Sequence, residues 1–153
     1  MSMIEKIVLV VILHLVSLTS SLAQSIEGEW ATQGYSARIH IAPCSSHPSL
    51  LCGTITWLWD PLDERGAPMV DRNNPTHELR QRPLIGLPLL SNFRTQDATH
   101  WVDGSIYDPE SGHTYKSSLT LKSPDLLNVS GCVLFICRTQ TWRRAQSVCP
   151  GAN

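Results

Sequence analysis

The side chains best suited to chemistry gather in one polar stretch between residues 60 and 83. Asp60, Asp63, Glu64, Asp71 and Glu78 are its carboxylates, and Arg80 and Arg82 follow closely. Two carboxylates brought together could serve as general acid and base, or supply oxygen ligands to a hard cation. The spacing Asp60-x-x-Asp63-Glu64 nevertheless lacks the alternation of a calcium loop, and a solvated loop is the better reading of these acids. The chain has no Gly-x-Ser-x-Gly elbow, no His-Glu-x-x-His pair and no phosphate-cradling glycine loop. Hydrolysis of an envelope polymer by the loop carboxylates is therefore the least favoured chemistry. His40, His77, His100 and His113 are scattered, and no Cys/His cluster stands at ligand spacing, so neither a metal nor a cofactor is expected.

Recognition is better represented than catalysis. Arg80 and Arg82 share parity and could present two forked donors to a carboxylate partner, beside the polar run Asp71-Arg-Asn73-Asn74-Pro75. Trp57, Trp59, Tyr107 and Tyr115 fall on strand-like segments and, with Asp71, Asn73, Asn74, Arg80 and Arg82, form the candidate ligand-binding set. If Ile55, Trp57, Tyr107, Tyr115 and Leu119 all point inward, their volumes favour a filled lumen over a cavity in a barrel of eight strands.

These residues need elements to carry them. Ten prolines, nine glycines and frequent Asp or Asn punctuate the chain. The intervening segments alternate and are rich in β-branched and aromatic residues, the pattern of an antiparallel sandwich or barrel. Strands are predicted over 27–32, 35–42, 52–59, 84–93, 100–107, 113–122, 126–133 and 137–145. In Tyr115–Lys122 the period of two sets Tyr115, Ser117, Leu119 and Leu121 on a dry face, and Lys116, Ser118, Thr120 and Lys122 on a wet one. Asp108-Pro-Glu-Ser-Gly112 is hairpin chemistry. The segment from 60 to 83 reads as a long loop with one helical turn near Pro75 to Leu79.

The first 23 residues have the layout of a cleavable export signal: a short head, the apolar run Ile7 to Leu18, and Ser21-Leu22-Ala23 before Gln24. An apolar run so short, rising about 1.5 Å per residue in a helix, falls well short of a hydrocarbon core about 30 Å thick. The expected organisation is a signal peptide (1–23), one β-barrel domain (24–145) and a flexible tail (146–153). Cleavage would remove one acid (Glu5) and one base (Lys6), leaving the net charge at −1. A chain so nearly neutral, with no basic run, lacks what nucleic-acid binding draws on. Its scattered charges also argue against a patch for anionic membranes, and no stable membrane insertion is expected after cleavage. Cys44, Cys52, Cys132, Cys137 and Cys149 all follow the predicted cut, where an oxidising compartment lets disulfides persist. Local pairing of Cys44 with Cys52 and of Cys132 with Cys137 is the expectation, although spacing alone does not decide connectivity.

Two resemblances sharpen this. Gly28-Glu-Trp30 near the start and Thr139-Gln-Thr-Trp142-Arg-Arg144 near the end resemble the lipocalin-like barrels. There a Gly-x-Trp opens the first strand and an arginine of the last strand stacks over the tryptophan. That resemblance implies structural roles for Gly28, Trp30, Trp142 and Arg144. More extensively, Ile41-Ala-Pro-Cys44, Leu51-Cys-Gly-Thr-Ile-Thr-Trp-Leu58, Asp71–Pro75, Leu79-Arg-Gln-Arg-Pro-Leu84, Gly104-Ser-Ile-Tyr-Asp-Pro109, Gly112-His-Thr-Tyr115 and Thr139–Trp142 resemble an exported bacterial family, domain of unknown function 2147. The resemblance implies a periplasmic, lipocalin-like barrel. Members often carry Cys where this chain has Ile85, which leaves Cys149 without a counterpart. The fold expected is an all-β, eight-stranded antiparallel barrel. The function expected is non-enzymatic binding of a small apolar or amphipathic ligand at the barrel mouth beneath the 60–83 loop. The alternative is an interaction module with a packed barrel that contacts an envelope protein.

Overall fold

The structure is a computed structural model that describes residues 25–145. The predicted signal peptide, Cys149 and the rest of the tail lie outside these residues. Eight strands follow in chain order: β1 (Gly28–Ala31), β2 (Ala37–Pro43), β3 (Leu50–Leu58), β4 (Pro88–Thr95), β5 (His100–Asp108), β6 (His113–Ser123), β7 (Leu126–Val133) and β8 (Ile136–Arg144). Each pairs antiparallel with the next, and β1 meets β8, closing an up-and-down barrel. The closing seam is short: β1 pairs with β8 only at Trp30–Arg144 and Ala31–Arg143.

Alternation along the strands builds the core. Ile39 and Ile41 on β2, Leu119 and Leu121 on β6, Leu127 and Val129 on β7, and Trp142 on β8 all face inward and are buried. Two disulfides clasp neighbouring strand ends, Cys44–Cys52 across the β2–β3 turn and Cys132–Cys137 across the β7–β8 turn.

One end of the barrel is plugged. Trp30 is fully buried, donates its indole N–H to the Ile26 carbonyl at 2.7 Å, and carries the Arg144 guanidinium 4.2 Å above its ring. Arg144 donates to the carbonyls of Ser25, Glu27 and Pro124 at 2.8–2.9 Å. Burial lowers its pKa from the ordinary arginine value, although Asp125 nearby opposes this. Gly28 sits at φ +116°, where a side chain would be strained, and a Cβ there would come within 3.3 Å of the Arg144 guanidinium. The Gly-x-Trp signature thus has a mechanical origin.

Two readings of the strand pattern are corrected. The segment 84–87 is a turn rather than the start of β4, with the Leu87 amide bonded to the Leu84 carbonyl and Gly86 at φ +93°. Trp57 does not point into the lumen. The β2–β3 register slips between Arg38 and Ile39, so that Ile55 and Trp57 face adjacent residues of β2 and Thr56 is the extra residue of a bulge. A bulge breaks the period of two. Trp57 consequently lies outside, beneath Arg38 at 5.1 Å and edge-on to Trp59.

Candidate functional site

The end opposite the Trp30 plug is formed by the β1–β2 turn, the long β3–β4 connection, the β5–β6 hairpin and the β7–β8 turn. Among them the lumen widens into a cavity of about 1820 Å³. The filled-lumen expectation is therefore overturned. With Trp57 outside and Gly131 on the inner face of β7, the mouth half of the barrel lacks the bulk to close. The cavity floor is apolar, made by Ile39, Ile55, Leu89, Ile106, Val129 and Trp142. Its upper wall is polar: Arg138 and Gln140 on β8, Tyr115 on β6 and Tyr107 on β5, with the carboxylates Asp60, Asp63, Glu64, Asp108 and Glu110 and the guanidinium groups of Arg65 and Arg72 along the outer rim. Arg138 has no ion pair among the described residues. Beyond the two β1 pairs, the wall beside β8 is bridged by a side chain, the Thr141 amide donating to Gln33 Oε1 at 3.0 Å.

The long connection is tied down by one buried carboxylate. Asp71 is fully buried. Its Oδ1 accepts the Tyr107 hydroxyl at 2.6 Å; its Oδ2 accepts Asn74 Nδ2 at 2.7 Å and both Arg82 Nε and an Arg82 terminal nitrogen at 3.0 and 2.8 Å. The backbone repeats the link: the Asp71 amide donates to the Arg82 carbonyl and the Leu84 amide to that of Met69. Together with the Val70–Pro83 bridge, this makes a small ribbon out of the loop. Arg80 Nε donates to the Asn74 carbonyl at 2.8 Å, across the 3₁₀ turn His77–Leu79. Asn73 Nδ2 reaches the Glu110 carbonyl at 2.7 Å, and a Cβ on Gly112 would collide with the Asn73 carbonyl. Gly112, at φ +70°, is thus required both by its own turn and by the strap pressed against it. Burial, and then the hydrogen bond to Asp71, raise the pKa of Tyr107 above the ordinary tyrosine value.

The predicted site residues therefore divide. Trp59, Asn73, Tyr107 and Tyr115 line the cavity, whereas Asp71, Asn74 and Arg82 form the knot that holds the strap. Trp57 is on the outside. Of the remaining loop acids, Asp60, Asp63 and Glu64 stand on the cavity rim with Arg65, and Glu78 does not line it. Asp63 caps its own turn by accepting the amides of Arg65 and Ala67, which lowers its pKa. Among the described residues no group of His, Cys, Asp or Glu is placed to hold a metal ion. Sequence reasoning missed Arg138, Gln140 and Tyr35 in the cavity lining. Parity along β8 from Trp142 would have found the first two, since residues 138, 140 and 142 share a face.

Comparison with known proteins agrees with this fold. Residues 28–144 match the profile of a family described as an uncharacterised protein conserved in bacteria, DUF2147. A search of curated proteins finds no match. Among solved structures, the chain is similar to Protein HP1028 from the human pathogen Helicobacter pylori, which is described as belonging to the lipocalin family. The TM-score is 0.68 with 19% identity, over 78% of this chain and 82% of the other. At that identity the likeness concerns the fold.

Proposed function

From a chain that belongs to the DUF2147 family and folds as a lipocalin-like barrel, we propose a protein that holds one small apolar or amphipathic molecule in the mouth of its lumen. One observation carries this reading: the cavity is apolar at its floor and polar at its rim, where Arg138 has no ion pair among the described residues. An alkyl or ring system would be buried among Ile39, Ile55, Ile106 and Val129, with an anionic head at Arg138 and Gln140. The two disulfides suit an oxidising compartment, and we place the protein outside the cytoplasm. The alternative, recognition of an envelope protein through Arg80 and Arg82, has less support. Asp71 already holds the Arg82 guanidinium, and Arg80 is engaged by the Asn74 carbonyl. Hydrolysis by Asp71 has less still, since its carboxylate is fully buried and both its oxygens accept hydrogen bonds.

The test is titration of delipidated protein with alkyl carboxylates and uncharged alkyl analogues, followed by tryptophan fluorescence. Saturable quenching is expected, and Arg138→Gln should weaken the carboxylates about tenfold while sparing the analogues. Absence of saturable binding across both series overturns the reading.

A further inference from the structure

The β7–β8 turn is the most exposed apolar feature among the described residues. Val133, Leu134, Phe135 and Ile136 follow one another at 56%, 90%, 89% and 66% exposure, and Cys132–Cys137 clamps the turn at its base. Four consecutive apolar residues at a convex tip gain nothing for the fold where they stand, and exposure of this kind marks an interaction site.

We infer that this tip is a docking element for the surface of an anionic lipid bilayer, setting the barrel mouth against the membrane.

Two features of the molecule select a bilayer. The first is charge. The half of the hairpin nearest the tip, residues 131–140, carries Arg138 and no acid, while Arg143 and Arg144 stand at the plugged end. Lys116 pairs with Cys132 across the β6–β7 ladder. At about 3.3 Å per strand residue, Arg138 lies about 10 Å behind Phe135. That is headgroup depth when an apolar tip enters the headgroup and acyl boundary by about 5–10 Å. The even spread of charge along the whole chain conceals this local asymmetry.

The acids of this end, among them Asp60, Glu64 and Glu110, belong to the β3–β4 and β5–β6 connections.

The second is area. A fully exposed Phe offers at most about 200 Å². Four side chains at these exposures stay below the roughly 800 Å² per partner that a stable protein interface buries. A bilayer sets no such requirement, because it deforms around the tip.

Flotation of the full chain with vesicles of phosphatidylglycerol and phosphatidylethanolamine, and with phosphatidylcholine alone, tests this. Wild type should float with the anionic vesicles, and Leu134→Ser with Phe135→Ser should weaken that binding at least tenfold. Both proteins carry the same amino terminus, so their difference isolates the tip. Arg138→Gln with Lys116→Gln should reduce binding to the anionic vesicles alone. Phe135→Trp should shift its emission to the blue when vesicles are added; this single variant decides the matter should the double serine variant lose its near-ultraviolet dichroism. Wild type that stays in solution, or a double serine variant that floats equally well, overturns the inference. A vesicle-independent dimer abolished by the serine substitutions would replace it with self-association. Leu134 and Phe135 do not line the cavity, so failure here leaves the ligand titration unaffected.

Discussion

At the plugged end of the barrel every strong donor of the lock is answered by the chain itself. The Trp30 indole meets Ile26, and Arg144 meets the carbonyls of Ser25, Glu27 and Pro124. At the mouth the same fold leaves Arg138 without an ion pair among the described residues, and Leu134 and Phe135 turned outward. Both ends contain aromatic and arginine side chains, so composition does not separate them. What separates them is satisfaction: a cation stacked on an aromatic and saturated with carbonyls is structural, whereas one without an ion pair beside an apolar lumen has binding capacity in reserve.

The comparison can be broken first at the plug. Trp30→Ala should destabilise the barrel by about 3–5 kcal/mol, because it empties a fully enclosed site beneath Arg144. Urea unfolding reads this directly, and a loss below about 1 kcal/mol would show that the plug is not what holds this end. At the mouth, Asp71→Asn should cost about 2 kcal/mol. This lies below the 3–5 kcal/mol typical of a broken buried ion pair, because Arg82 is one-third exposed. Hydrogen exchange should then accelerate over residues 69–84 and leave β1, β2 and β8 protected. Uniform acceleration would mean that strap and barrel unfold as one unit.

The smallest effects concern pH, and the two ends should respond at opposite extremes. Asp97, in the β4–β5 turn at the plugged end, accepts the Thr99 amide and then His100, which hold its pKa at about 2, below the ordinary 3.8. A depressed folded-state value stabilises above pH 4, and that contribution fades as the pH falls towards 2. Tyr107 at the mouth is shifted the other way, above the ordinary 10. Its contribution is fully present below pH 10 and fades as the pH rises beyond it. Urea midpoints measured against pH should lose part of the acid slope in Asp97→Asn and part of the alkaline slope in Tyr107→Phe. Exchange of the two slopes, or no change in either, would contradict the assignments.

Much of the fold was legible because it is local. The period of two over Tyr115–Lys122 and the Asp108–Gly112 turn each report a constraint that neighbouring residues impose; the stacking of the distant Arg144 on Trp30 was implied by the resemblance to lipocalin-like barrels. The candidate site was legible only in part. The long loop was visible from its composition, and Tyr107 and Tyr115 were placed with it. Their partners were not, because the Tyr107–Asp71 bond spans 36 residues and carries no spacing signal.

By itself, then, the sequence determined eight alternating strands and their turns, since side-chain periodicity and turn chemistry act over a few residues at a time; the aromatic lock was implied by a resemblance. Only the tertiary structure decided that a bulge at Thr56 expels Trp57, that Asp71 serves a strap rather than a reaction, and that the mouth stays open beside an exposed apolar tip. Those outcomes depend on register and on contacts between distant segments, where a slip of one residue exchanges the inside of a barrel for its outside.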